Sequence, residues 1–294
     1  MTAGAGRDPA RPAPTWRDLL GAVQARLRSP VEARWIVERA SGWEGAELWL
    51  HLDERAPLRA VPFVEGMVER RSVGEPLQYV LGRWRFRGLD LLVDRRVLIP
   101  RPETEIVAGA VVSELGRIAK ARPRVVELGT GSGAIALAVA AEVPGARVWA
   151  TDAAADALAV ARANLAGLGS GAATRVRLLH GPWWDALPWE LRGGVDIVVC
   201  NPPYVAAGEE LPAEVADWEP VGALRAGPTG LEALEIVVEG APRWLDRPGA
   251  LVVEIAPHQT DAVRALAGDA GFTTFEVWGD LTGRPRVVVA RLDP

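Results

Sequence analysis

Two short segments of this 294-residue chain carry residue types arranged for chemistry. The first is Glu127-Leu128-Gly129-Thr130-Gly131-Ser132-Gly133. It follows an apolar stretch and precedes an alanine-rich one, the order expected of strand, tight turn and helix. Glycines in such a turn let the backbone approach a ligand closely. Asp152 stands 23 residues after Gly129, at the end of the next apolar stretch. A carboxylate there can accept bonds from both hydroxyls of a ribose. The spacing is GxGxG and not the GxGxxG of dinucleotide binders, so the ligand expected is nucleotide-like but of another kind.

The second segment is Asn201-Pro202-Pro203-Tyr204, directly after the apolar run ending at Cys200. It can be read as a proline turn that stops a strand. An amide at the carboxyl end of a central strand, however, lies in the crevice where open α/β sheets do chemistry. The two prolines stiffen the segment, and neither has an N–H to compete for its carbonyls. Side-chain oxygen, backbone carbonyl and aromatic face together suit a planar NH₂ group: two acceptors for its hydrogens and a ring against its plane.

These segments need elements to hold them. Residues 1–14, with three prolines, read as a disordered tail. From Thr15 to about Arg71 the pattern is helical: Thr15 can cap a first helix, Ser29-Pro30 opens a second and Gly42 ends it. Residues 74–101 read as a β-rich connector with a hairpin, its strand-like pieces being Gln78–Leu81, Trp84–Phe86, Leu89–Val93 and Val97–Ile99. From residue 102 to 294, strands (124–128, 147–151, 175–179, 196–200, 250–255) alternate with helices. That alternation predicts an α/β fold with a doubly wound, mostly parallel sheet. The last two of its seven strands, 273–278 and 286–291, are joined without a helix, so an antiparallel terminal strand is expected.

Composition narrows the classes. With 49% hydrophobic and 24% charged residues, the chain sits near globular averages, which excludes wholesale disorder. Cys200 is the single cysteine, so no internal disulfide can form, and His51, His180 and His258 show no metal-ligand spacing; no metal is expected. No apolar run reaches the roughly 18 residues of a membrane span, and the N-terminus has no apolar signal region; a soluble, cytoplasmic protein is expected. A net charge of −5 argues against general affinity for a phosphate backbone. Charge is uneven along the chain. Six arginines fall between Arg83 and Arg101, and eight acidic residues fall between Glu209 and Glu239.

GTGSGAIALAVA, the distal Asp152 and NPPY resemble the class I S-adenosylmethionine-dependent methyltransferases that act on a planar amide or amine nitrogen. The stretch GEPLQYVLGRWRFRGLDLLVDRRVLIPRPETE narrows the resemblance to the protein-(glutamine-N5) methyltransferases that modify peptide chain release factors. DWEPVGALRAGPTGLEAL and DLTGRPRVVVAR are similar to that family too, and the resemblance spans residues 15–292. It implies an N-terminal helical substrate-docking domain (15–73), a hinge and a catalytic domain. The cofactor implied is S-adenosylmethionine, and the partner is a class I release factor carrying Gly-Gly-Gln; no nucleic acid or membrane is expected as a partner. It further implies catalytic roles for Asn201, Pro202 and Tyr204. Cofactor contacts are implied from Thr104, Glu127, Gly129, Thr130, Gly131, Gly133, Asp152, Trp183, Trp184 and Asn201, with Thr104 or Glu105 near the methionine end and Arg101 nearby. Two positions depart from the family: Arg85 stands where Glu is usual, and Pro182 where an acidic residue precedes the aromatic pair. The adenine contact then falls to a backbone group and to Trp183 or Trp184.

Three other readings compete. A ribosomal-protein glutamine would use the same pocket. An adenine-N6 nucleic-acid methyltransferase needs a flipped base and a basic surface, which the net charge opposes. A cofactor-binding protein without activity has no use for the NPPY acceptors.

Overall fold

The computed structural model describes residues 13–293. Most of the expected tail therefore lies outside the described residues; at its end the Pro14 carbonyl accepts from the Ala56 N–H at 2.9 Å. The chain divides into two compact units, one ending at Leu81 and one starting at Gly82. That division falls inside the stretch expected as connector.

The first unit is helical: α1 (Trp16–Leu27), α2 (Pro30–Ser41), α3 (Ala46–Leu50), α4 (Ala60–Ser72) and α5 (Leu77–Leu81). The caps are those the residue types dictate. Thr15 and Asp18 form a reciprocal capping box, Ser29 caps α2 ahead of Pro30, and Gly42 closes it in the left-handed region at φ 84°. Trp16, Val23, Ile36, Val37, Leu48, Val64 and Met67 make its core. The piece Gln78–Leu81, expected as strand, is helix α5. A run of four residues is too short to carry a period that distinguishes the two. Here the surroundings decide: Arg39 donates to the Leu81 carbonyl at 2.8 Å and Arg70 to the Tyr79 carbonyl at 2.9 Å, satisfying groups a helix end leaves open. Val97–Ile99, also expected as strand, is irregular backbone.

The second unit opens with the expected hairpin, β1 (Arg83–Phe86) and β2 (Leu89–Leu92). There follow α6 (Pro102–Ile118), β3 (Arg124–Leu128), α7 (Ala134–Glu142), β4 (Arg147–Asp152), α8 (Ala155–Gly167), α9 (Ser170–Ala173), β5 (Val176–His180) and β6 (Val195–Cys200). A short excursion then holds β7 (Val205–Ala206), α10 (Ala213–Ala216), α11 (Val221–Leu224) and β8 (Arg225–Gly227). Last come α12 (Glu232–Gly240), β9 (Leu245–Glu254), α13 (Thr260–Asp269), β10 (Thr274–Gly279) and β11 (Pro285–Leu292).

Seven strands form one sheet in the order β10-β11-β9-β6-β3-β4-β5, with β11 antiparallel to both its neighbours and the other pairings parallel. Alternate residues feed two cores. Val125, Val148, Ile197 and Val252 face the core that includes α6 and α7 residues, and Val126, Leu128, Val198 and Leu251 face the one that includes α12 residues. Burial on both faces explains why β6 reads as an unbroken apolar run apart from Asp196. From β3 the chain steps outward through β4 and β5, then returns to β6 on β3's other side. The switch point therefore lies between the carboxyl ends of β3 and β6, the crevice where such sheets bind ligands.

Candidate active site

A cavity of about 470 Å³ opens at that switch point, within the range of small-molecule sites. Its wall draws on Thr104, Glu127, Gly129, Thr130, Gly131, Asp152, Trp183, Asn201 and Pro203, which are far apart in sequence. Gly133, Trp184, Pro202 and Tyr204 are not part of that wall among the described residues.

The glycine turn is held from both sides. Gly131 sits at φ 54°, and its N–H donates to Asp152 Oδ2 at 2.8 Å. Asp152 Oδ1 accepts from the Ala154 N–H at 2.8 Å. The carboxylate is thus fixed at the end of β4 with lone pairs to spare on each oxygen. Gly133 serves the turn differently, as the left-handed N-cap of α7 at φ 86°. Glu127, only 1% exposed, accepts on Oε2 from the Thr130 hydroxyl at 2.6 Å and from the Ala136 N–H at 3.0 Å. It therefore satisfies one of the open amides in the first turn of α7.

Burial pushes the Glu127 carboxyl up to about 8, the negative charge of Asp152 adding to the effect and its two donors opposing it. The sign for stability follows from proton counts. Between the ordinary value of 4.5 and about 8 the unfolded chain has lost this proton and the folded one has kept it. The ligand-free enzyme should lose melting temperature as pH rises from ~5 to ~8, by an amount on the order of a few kcal/mol in stability. Glu127→Gln should flatten that slope in a thermal-melt series, and an unchanged slope would remove Glu127 as its source.

The two tryptophans after β5 part company. Trp183 lines the cavity. Its backbone lies at φ 44°, a strained position for a bulky residue, and its carbonyl accepts from the Thr151 hydroxyl at 3.2 Å. Trp184 donates its indole N–H to the Ile236 carbonyl at 3.0 Å and stacks on Trp244 with centroids 5.9 Å apart. It packs so tightly on Gly240 that a Cβ there would lie 2.2 Å from the indole nitrogen. Pro182 joins Trp183 in the cavity wall.

At the end of β6, Cys200 is buried with its Sγ donating to the Leu128 carbonyl at 3.0 Å, and burial raises its thiol well above the usual range. It packs between strands, as a lone cysteine in an apolar strand is expected to. Asn201 then reaches the cavity, its Nδ2 donating to Thr104 Oγ1 at 3.2 Å. Tyr204 donates its hydroxyl to Glu254 Oε1 at 3.3 Å, and burial beside that carboxyl raises the phenol. Gln259 holds the same segment by its backbone, donating to the Tyr204 carbonyl at 3.1 Å. The neighbours of Thr104 in sequence face elsewhere. Arg101 pairs with buried Glu219, and Glu105 accepts from the Arg87 N–H at 3.1 Å. Sequence reasoning passed over Glu254 and Gln259. The available signal was a lone carboxylate ending the apolar strand Leu251-Val252-Val253-Glu254, the same kind of strand end that offers Asp152 and Asn201.

A nucleotide-type cradle on one side of the switch point and a grip for a planar nitrogen on the other is the arrangement of a class I S-adenosylmethionine-dependent methyltransferase. Residues 19–82 match the PrmC N-terminal domain and residues 108–217 the methyltransferase small domain. The release factor glutamine methyltransferase of Cereibacter sphaeroides is 39% identical over 263 residues, covering 89% of this chain and 90% of that one. That of Bordetella pertussis is 40% identical over 259 residues, covering 87% and 93%. The chain belongs to the release factor glutamine methyltransferase family. Among solved structures, the catalytic domain of hMettl16 in complex with MAT2A 3′UTR hairpin 1 superposes with a TM-score of 0.56 at 17% identity, covering 88% of this chain and 93% of that one, a likeness of fold.

The methyl donor is S-adenosylmethionine, and the cavity's donor set fits it. An anionic strand end with free lone pairs suits a ribose, Trp183 and Pro182 offer a flat apolar wall for a base, and the glycine turn leaves room for close approach. Among the described residues no helix is long and apolar enough to cross a membrane.

Proposed function

We propose that this enzyme methylates the side-chain N5 of the glutamine in the Gly-Gly-Gln motif of class I peptide chain release factors. The observation that carries the reading is Asn201 on the cavity wall at the end of β6, with its amide nitrogen turned to Thr104. Its oxygen is thereby left for a substrate. The names of the curated relatives support the release factor as partner.

When bound, S-adenosylmethionine supplies an electrophilic methyl group on a sulfonium. The remaining work belongs to this chain. An amide nitrogen is a poor nucleophile because its lone pair is delocalised into the carbonyl. Asn201 Oδ1 and the Pro202 carbonyl accept its two hydrogens, hold it in place and favour a pyramidal nitrogen with its lone pair free. Both acceptors gain strength as positive charge reaches that nitrogen, so they bind the transition state better than the ground state. Tyr204, anchored by its hydroxyl and backbone, restricts the plane of the amide. The N-protonated amide is strongly acidic and loses its proton to water, so no dedicated base is required. Asp152, Gly129, Gly131, Thr130, Glu127, Thr104 and Trp183 form the cofactor side of the cavity in this reading. Gly133 shapes the turn behind it, and Trp184, next to Trp183 in the chain, is anchored by its stacking on Trp244.

The helical unit, residues 15–73 in this reading, grips the release factor away from the reacting glutamine, residues 74–101 connect, and residues 102–294 catalyse. Acting on a translation factor places the enzyme in the cytoplasm. The test is methyl transfer from labelled S-adenosylmethionine to a purified release factor, beside its Gly-Gly-Gln→Gly-Gly-Ala variant and duplex DNA. Label on the unmodified factor alone is the expected result. Label on the variant, or on DNA, would overturn the assigned target.

A further inference from the structure

The polar chain that begins at Asn201 runs on into the protein and ends at a carboxylate. Three elements meet there: the end of β6 with Asn201, the first turn of α6 with Thr104, and the end of β9 with Glu254. Asn201 Nδ2 donates to Thr104 Oγ1 at 3.2 Å, and Thr104 Oγ1 donates to Glu254 Oε2 at 2.7 Å. Glu254 accepts on its other oxygen from the Tyr204 hydroxyl at 3.3 Å. Thr104 is 4% and Glu254 1% exposed, so water does not compete for these groups.

The direction of each bond follows from the last group in the chain. An ionised carboxylate has no proton to give, so the Thr104 hydroxyl must donate to it. That hydroxyl has one proton, and once it is spent the oxygen can only accept. The only part of an asparagine amide able to donate is its NH₂, so the NH₂ turns to Thr104 and the oxygen turns to the cavity. We propose that Glu254 is a positioning residue which, through Thr104, fixes the amide of Asn201 with its oxygen toward the substrate nitrogen. The inference rests on the reading of Asn201 as an acceptor for that nitrogen.

A neutral isostere breaks the logic without emptying the space. Glutamine at 254 no longer dictates the direction: when its NH₂ donates to Thr104 Oγ1, the threonine proton turns to Asn201 and the amide inverts. An inverted Asn201 presents N–H groups to the N–H groups of the substrate. The full-length enzyme carrying Glu254→Gln should lose roughly 10- to 100-fold in kcat at saturating release factor. Cofactor affinity by calorimetry and the KM for the release factor should stay close to those of the unmodified enzyme. Thr104→Val, which keeps shape and removes the hydroxyl, should lose a similar factor, and Thr104→Ser should recover most of it. Glu254→Gln with Thr104→Val should cost no more than either alone, because one relay is broken only once.

The relay also has a pH signature. Burial lifts the Glu254 carboxyl to about 7; Glu103 at the start of α6 adds to the rise, while Arg286 on β11 and the Thr104 and Tyr204 hydroxyls oppose it. Below that value the protonated group can donate, so kcat should rise with pH through ~7 and level off above it. Glu254→Gln should lack this limb.

Additive losses in the double variant, or kcat within ~2-fold of the unmodified enzyme in both Glu254→Gln and Thr104→Val, would overturn the relay. If that happens while Asn201→Ala is inactive, the reading of Asn201 survives and only the relay falls. If Asn201→Ala itself keeps full turnover, the premise fails and the relay with it. Should Glu254→Gln fail to fold, Thr104→Val against Thr104→Ser carries the same comparison.

Discussion

Replacing Asn201 by alanine lowers kcat by ~100-fold or more while the cofactor still binds. The size follows from where the side chain acts. Its oxygen meets an N–H that is weakly polar in the ground state and strongly polar once the nitrogen carries positive charge. An acceptor held in place before the reaction, as Asn201 is by Thr104, contributes most at that moment. The cofactor side of the cavity is built from other residues, the β3 turn and the end of β4, so its affinity is retained. Single-turnover transfer to a release factor and calorimetric titration with the cofactor check the two halves separately. Turnover within ~3-fold of the unmodified enzyme would remove Asn201 from the chemistry.

Asp152→Ala acts in the opposite sense: cofactor affinity falls ~100-fold or more, while turnover at saturating cofactor changes far less. Each hydrogen bond from a ribose hydroxyl to a carboxylate is worth about 1.5–3 kcal/mol, and two are lost together. The substitution also strips the acceptor from the Gly131 and Ala154 N–H groups, so the glycine turn loosens as well. Asp152→Asn separates the contributions. It keeps an oxygen for one backbone donor but not the charge, so an intermediate loss is expected. A dissociation constant within ~3-fold of the unmodified value in Asp152→Ala would place the ribose elsewhere. Together the variants make a crossed pair, one moving kcat and the other cofactor affinity, which a general loss of folding cannot imitate.

The contrast between Trp183 and Trp184 shows where sequence reasoning stops. The two are adjacent, equal in type and equally compatible with a ligand wall. What separates them is Trp244 and Gly240, some 60 positions later in the chain, which form a slot that fits one indole and leaves the other at the cavity. Helix α5 makes the same point in backbone terms. Its residues have no period of their own, and the arginines that meet its carbonyls come from α2 and α4.

What the amino-acid sequence determined by itself is whatever rests on neighbours: caps at Thr15, Ser29 and Gly42, the glycine turn opening α7, the alternation that builds a parallel sheet, the final hairpin, and NPPY at a strand end. Those features follow from backbone sterics and from periodicities of 2 and 3.6 residues, which are written within a few positions of each other. Only the tertiary structure decided which strand ends lie side by side. The order β9-β6-β3-β4 brings Glu254, Asn201, Glu127 and Asp152 to one edge of the sheet, and α6 delivers Thr104 to it across 150 residues of chain from Glu254. A hydrogen bond spanning that separation leaves no local pattern. It exists because two buried apolar faces enforce one register of strands, and that register places the polar residues at the strand ends within reach of one another.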